Sequence, residues 1–176
     1  MKKLIAIVVL LPTLILCQVS FAQAGSDRDA GIERNEDTGL FEFRIVIEAE
    51  GPADELFRRS RVWLVRRTTG GQGLGYEDQE NNSLASDLLV SVTLSLVKSE
   101  VEMTIQIDCR DNRCRIIFTD FHYWHAGKEY EGGYDRAFED RISRGKRLRE
   151  KTKAKIDAVI EDLVFALTTG EVDDEW

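Results

Sequence analysis

The sequence predicts an α+β domain whose elements run strand, helix, four antiparallel strands, long helix. Three patterns carry that reading. Phe41, Phe43, Ile45, Ile47 and Ala49 alternate with mostly charged residues, as in a strand with one buried face. Asp111-Asn112 lies between two alternating runs as a two-residue hairpin loop, since both residues tolerate left-handed backbone. Leu148, Thr152, Ile156, Val159, Leu163 and Ala166 advance by three or four, which is the spacing of one helical face.

The N-terminus comes first in the chain and reads as an export signal over residues 1–22. Lys2 and Lys3 precede the apolar run Leu4 to Leu16, and Ser20-Phe21-Ala22 and Ala22-Gln23-Ala24 offer two cleavage sites with small residues. The run falls short of the ~20 apolar residues that span a bilayer, and no second run follows, so the mature chain has no transmembrane span. Lipidation at Cys17 is the lesser alternative, because Leu16 stands where a small residue is needed. The predicted location is therefore periplasmic or extracellular. Residues 23–40 are polar, rich in glycine and acids, and unperiodic, and they read as a disordered leader. The domain is placed at 41–169, followed by an acidic tail at 170–176.

Gly51-Pro52-Ala53-Asp54-Glu55 opens the first helix, with proline in the first turn and two acids near the positive end of the dipole. This helix runs to about Arg67, with Leu56, Phe57, Ser60, Trp63 and Leu64 on its inner stripe. Gly71-Gln72-Gly73-Leu74-Gly75 follows a helix and lacks a Gly-Lys-Ser/Thr sequence, so it reads as a connection rather than a phosphate loop. A short strand over Leu74 to Gln79 turns at Glu80 to Ser83. The strand Leu88 to Leu96 turns at Lys98-Ser99-Glu100 into Val101 to Cys109. Across the Asp111-Asn112 loop the register sets Cys109 opposite Cys114, Asp108 opposite Arg115, Ile107 opposite Ile116, Ile105 opposite Phe118 and Thr104 opposite Thr119. One face is then apolar, and the other carries an opposite-charge pair and a threonine pair. Phe121 to Gly133 reads as an aromatic linker, Tyr134 to Ser143 as a short helix, and Lys146 to Thr168 as the long helix, with Gly170 as its cap.

These elements resemble a family of secreted bacterial domains of unknown function with a TATA-box-binding-protein-like (TBP-like) fold. The resemblance rests on Phe41 to Ala49, the helix around Glu55-Leu56-Phe57 and Trp63, the hairpin Ile105 to Phe121, and Ile156 to Leu167. It implies a curved, five-stranded antiparallel sheet with two helices packed against it. It carries over no active site.

The chemistry-bearing residues are few. His122 and His125 form a His-x-x-His spacing without a third ligand, so they are weak metal candidates, and no cofactor is expected. Nucleophile elbows, His-Glu-x-x-His and dinucleotide fingerprints are missing, so no catalytic residue is assigned. Cys109 and Cys114 are expected to form a disulfide. Cleavage removes two of the 24 lysines and arginines and leaves 22 against 32 acids, a formal charge of -10, which repels nucleic acid. The basic segment Arg141 to Lys155 reads as a solvated helix face.

Three functions stay open. The preferred one is a non-catalytic binding module that takes an unknown ligand or protein of the cell envelope at Phe121, Tyr123 and Trp124. The second is an envelope hydrolase using His122 or His125 with an acid. The third is a self-associating structural protein, whose basic segment meets the acidic tail of another copy.

Overall fold

The structure, a computed structural model, describes residues 31–68, 74–94, 97–125 and 146–170. The signal segment, the helix over Tyr134 to Ser143, the acidic tail and most of the Gly-rich connection lie outside the described residues. In chain order the elements are β1 (Glu33–Arg34), β2 (Phe41–Glu48), α1 (Ala53–Arg67), β3 (Tyr76–Asp78), β4 (Ser83–Leu94), β5 (Val97–Arg110), β6 (Arg113–His125) and α2 (Lys146–Thr169). The strands form one antiparallel sheet in the order β1-β2-β6-β5-β4-β3.

The alternation read from the sequence becomes two unlike faces. Phe43, Ile45, Ile47, Leu84, Leu88, Val101, Met103, Ile105, Ile107, Ile116 and Phe118 point to one side and are buried. Onto that side pack Leu56, Trp63 and Leu64 of α1 and Ile156, Ile160, Leu163 and Leu167 of α2. Between the helices, the Trp63 indole N–H donates to the Asp162 carboxylate, which Arg67 also grips through Nε at 3.0 Å and Nη2 at 2.5 Å. The Arg67 guanidinium lies 5.3 Å from the Trp63 ring. Gly170 closes α2 in the left-handed region (φ 72°) and donates its N–H to the Ala166 carbonyl at 3.0 Å.

The hairpin register stands as the sequence predicts, pair for pair from Cys109–Cys114 to Thr104–Thr119. Four details differ. The sheet has six strands rather than five, because residues 31–40 belong to it instead of forming a leader. Ile32 is buried, and Glu33–Arg34 pair with Phe41 and Glu42 around a loop in which the Asn35 side chain accepts the N–H groups of Asp37 and Thr38. A two-residue strand is too short to show alternation. Secondly, β4 begins at Ser83 rather than Leu88.

Thirdly, Lys98-Ser99-Glu100 is not a turn. It lies in β5, and the chain reverses between Leu94 and Val97. Ser99 imitates a turn residue in sequence but is buried, with the Tyr123 hydroxyl donating to its Oγ at 2.9 Å. Fourthly, Phe121 to His125 continue β6 rather than forming a linker. The pairing slips by one residue beside Glu102 and Thr104, and Asp120 adopts a φ of 52° there. Such a bulge re-aims the strand without ending it.

Candidate functional site

Both helices cover the same face of the sheet, and among the described residues no element lies over the opposite face of its central strands. That face is built from the residues that alternate with the core positions: Arg44 and Val46 of β2, Arg115, Ile117 and Thr119 of β6, Glu102, Thr104, Gln106 and Asp108 of β5, and Ser83, Ala85, Asp87 and Leu89 of β4. Cross-strand register places Val46, Arg115, Asp108 and Ser83 in one row, and Arg44, Ile117, Gln106 and Ala85 in the next.

Asp108 is the hub of that face. Its carboxylate accepts the Ser83 hydroxyl at 2.6 Å, Arg115 Nη2 at 2.7 Å and Nε at 3.1 Å, and the Gln106 amide at 3.1 Å. Partial burial alone would push its pKa up. The hydrogen bonds from Ser83, Arg115 and Gln106 outweigh that and hold it below the usual carboxylate range. Two rows away, Thr104 donates to Asp87 at 2.8 Å. These bonds fix side chains from three strands, so the surface is ordered before anything meets it. Three exposed apolar residues border the polar rows: Val46, Leu89 and Tyr76.

The aromatic segment is differently placed from the sequence expectation. Phe121 and Tyr123 are each only 6% exposed and close the core, because β6 continues and these positions alternate inward. Their side chains face the core rather than an exposed surface. Trp124 stands opposite Glu100 in the register, and its side chain lies outside the described residues.

The histidines are on a strand, not after one. An odd spacing along a strand does not present two side chains to one face, which removes the rationale for His-x-x-His as a metal pair. His122 Nε2 lies 3.2 Å from Asp120 at the bulge. Among the described residues no group of three His, Cys, Asp or Glu side chains is disposed to hold a metal ion. Cys109 and Cys114 lie on the buried face with their Sγ atoms 2.8 Å apart as free thiols, and Ser60 Oγ of α1 is 3.6 Å from Cys109 Sγ. The sheet therefore separates the thiols from the His122–Asp120 pair.

Residues 41–124, from β2 almost to the end of β6, match the family described as a domain of unknown function (DUF4468) with TBP-like fold. That segment is similar to the DUF4468 family. The chain is also similar to the crystal structure of a DUF4468 family protein from Bacteroides ovatus, with a TM-score of 0.58 at 13% identity. The match covers 84% of this chain and 95% of that one. A TBP-like protein from Parabacteroides distasonis aligns with a TM-score of 0.54 at 15% identity, over 76% of this chain and 96% of that one. At these identities the likeness shows the fold. No curated protein matches the sequence.

Within this segment, the polar face was written in the sequence as the charged and hydroxyl residues between core positions, and Asp108 opposite Arg115 was its clearest sign. What the sequence does not show is that both helices choose the other face. Helix periodicity gives an inner stripe but not which side of the sheet receives it. No described helix is long and apolar enough to cross a membrane.

Proposed function

We propose that this chain is an exported, non-catalytic binding domain that meets its partner on the open face of the sheet. One observation carries the reading: a six-stranded sheet with its helices on one side leaves an ordered polar platform, centred on Asp108 and Arg115, with no second layer over it among the described residues. Rigid strands hold contact groups better than loops do. The mixture of arginine, carboxylate, amide and hydroxyl groups suits a polar ligand of the cell envelope, such as a glycan or an extended peptide. Export is supported by Lys2-Lys3, the apolar run to Leu16 and the small residues at Ala22 and Ala24.

A thermal-shift panel of soluble muropeptides, oligosaccharides and short extended peptides tests the binding reading on the mature chain. A ligand at about 100 times its Kd raises stability by ~2.7 kcal/mol. Arg115→Ala and Gln106→Ala should abolish that gain and still fold, with Trp124→Ala run beside them. A ligand indifferent to both open-face variants, or turnover that His122→Ala or His125→Ala removes, would sink the proposal. Mass spectrometry of the native product tests export, since a retained Met1 or a diacylated Cys17 contradicts cleavage at Ala22 or Ala24.

A further inference from the structure

We infer that the outer edge of β4 pairs two copies of this chain into one continuous sheet. β5 runs beside β4 from Ser83 to Leu94, but β3 pairs only with Ser83, Leu84 and Ala85. From Ser86 to Leu94 no described strand lies on the other side. One hydrogen bond fixes which backbone groups face outward. Cys109 donates its N–H to the Asn82 carbonyl at 2.9 Å, so odd-numbered positions of β5 turn toward β4. Their partners Ser86, Leu88, Val90 and Val92 turn back toward β5. Asp87, Leu89, Ser91 and Thr93 therefore direct their N–H and C=O groups away from the sheet.

Sheet edges of this length are normally blunted by lysine, proline or a bulge. Here Asp87 is the one charge among the outward positions, at the β3 end, Leu88 to Val97 contains no charged residue and no proline, and the β4–β5 register is unbroken. The other side of the sheet contrasts with it. There β1 covers the start of β2, and the outward positions beyond it include the charged residues Arg44 and Glu48. Among the described residues the β4 edge beyond Asp87 carries no such guard.

A second copy fits because the free stretch maps onto itself. A two-fold axis at Val90 sets Asp87 opposite Thr93 of the second copy and Leu89 opposite Ser91. Four outward pairs with two bonds each give about eight new hydrogen bonds. On the helix side, half-buried Val90 meets its own counterpart and Leu88 meets Val92. No like charges oppose. β3 bounds the stretch at one end and the end of β4 bounds it at the other, so each strand finishes where the β3 of the other copy begins. Such an isologous contact closes at two copies. The inference does not depend on the ligand reading.

Sedimentation equilibrium of the mature chain at up to ~100 μM, a range that reveals micromolar dimers, tests it with two double variants. Both substituted side chains are exposed, and circular dichroism checks that each variant folds. Leu89→Lys with Ser91→Lys opposes lysine to lysine in this register and should weaken the dimer roughly tenfold or more. Leu89→Lys with Ser91→Glu opposes lysine to glutamate and should retain it. A monomer throughout overturns the inference, as does a dimer that responds equally to both variants. A monomer whose Leu89, Ser91 and Thr93 amides resist hydrogen exchange also overturns it, by assigning the edge to another segment of the same chain.

Discussion

Cys109 and Cys114 show how much a single pairing can decide. The bond from Cys109 N–H to Asn82 makes the two cysteines a non-hydrogen-bonded pair across β5 and β6. Such pairs hold Cα atoms ~4.5 Å apart, within reach of a disulfide. Contact with Cys109 and burial push the Cys114 thiol well above its ordinary pKa, while the hydrogen bond with Cys114 draws the Cys109 thiol below its own. We propose that the bond forms before α1 packs over the hairpin, by exchange with an external disulfide that leaves as two thiols. Thiol counting on the denatured, unreduced mature chain should find none. Reduction should cost about 2 kcal/mol, as a short loop predicts. Two reactive thiols would contradict the bond.

Two other side chains make separable statements. Asp108 has a folded pKa below its unfolded value, so its contribution is fully present above the unfolded value of ~3.9 and is lost as pH falls through the folded one. Asp108→Asn should flatten the acid limb of a stability–pH curve below about pH 4, as read by urea titration, and an unchanged limb would refute the assignment. Thr152 is fully buried on α2, and its hydroxyl has no hydrogen-bond partner among the described residues. Thr152→Val keeps the shape and removes the stranded group, so stability should rise by ~1 kcal/mol. A loss of stability would mean the hydroxyl is satisfied.

At the scale of elements, the Asp111-Asn112 loop does more than reverse the chain. Asparagine is a weaker second residue than glycine for this turn, and Asn112 holds a φ of 61°. The compensation is tertiary. Asn112 Oδ1 accepts the Gly51 N–H at 3.1 Å, the Asn112 N–H donates to the Gly51 carbonyl at 2.9 Å, and Asp111 Oδ1 accepts the Ala53 N–H at 2.9 Å. Pro52 provides no side-chain cap, so the α1 start is capped by a residue 58 positions away. Asp111→Ala should destabilise by about 1 kcal/mol, the usual worth of a cap, measurable by denaturant titration. An effect near zero would show that the bond contributes nothing. The sequence shows the turn, since loop chemistry is local, but not the cap, which exists only after β2 and β6 have paired.

The same division governs the molecule as a whole. Elements with many repeats of one period were legible: β2, both helices, and the hairpin register, where polarity, charge and β-branching agree. The two-residue β1, the buried Ser99 and the continuation of β6 through Asp120 were not. Each depends on a partner strand or on a positive φ at a non-glycine residue. For the candidate site, the row residues could be named from the alternation, but the choice of open face could not. Phe121 and Tyr123 are aromatic and near an expected strand end, but β6 continues through them and turns them into the core.

The sheet has a structural face under the helices, and the binding face proposed above lies opposite. Backbone NMR of the mature chain, titrated with whichever glycan or peptide raises its melting temperature, tests it most directly. Shifts should concentrate at Gln106, Asp108, Arg115 and Thr104, with α1 and α2 little changed. Shifts centred on the exposed helix residues Val62, Val65 and Phe165, with the Asp108 row unmoved, would contradict it.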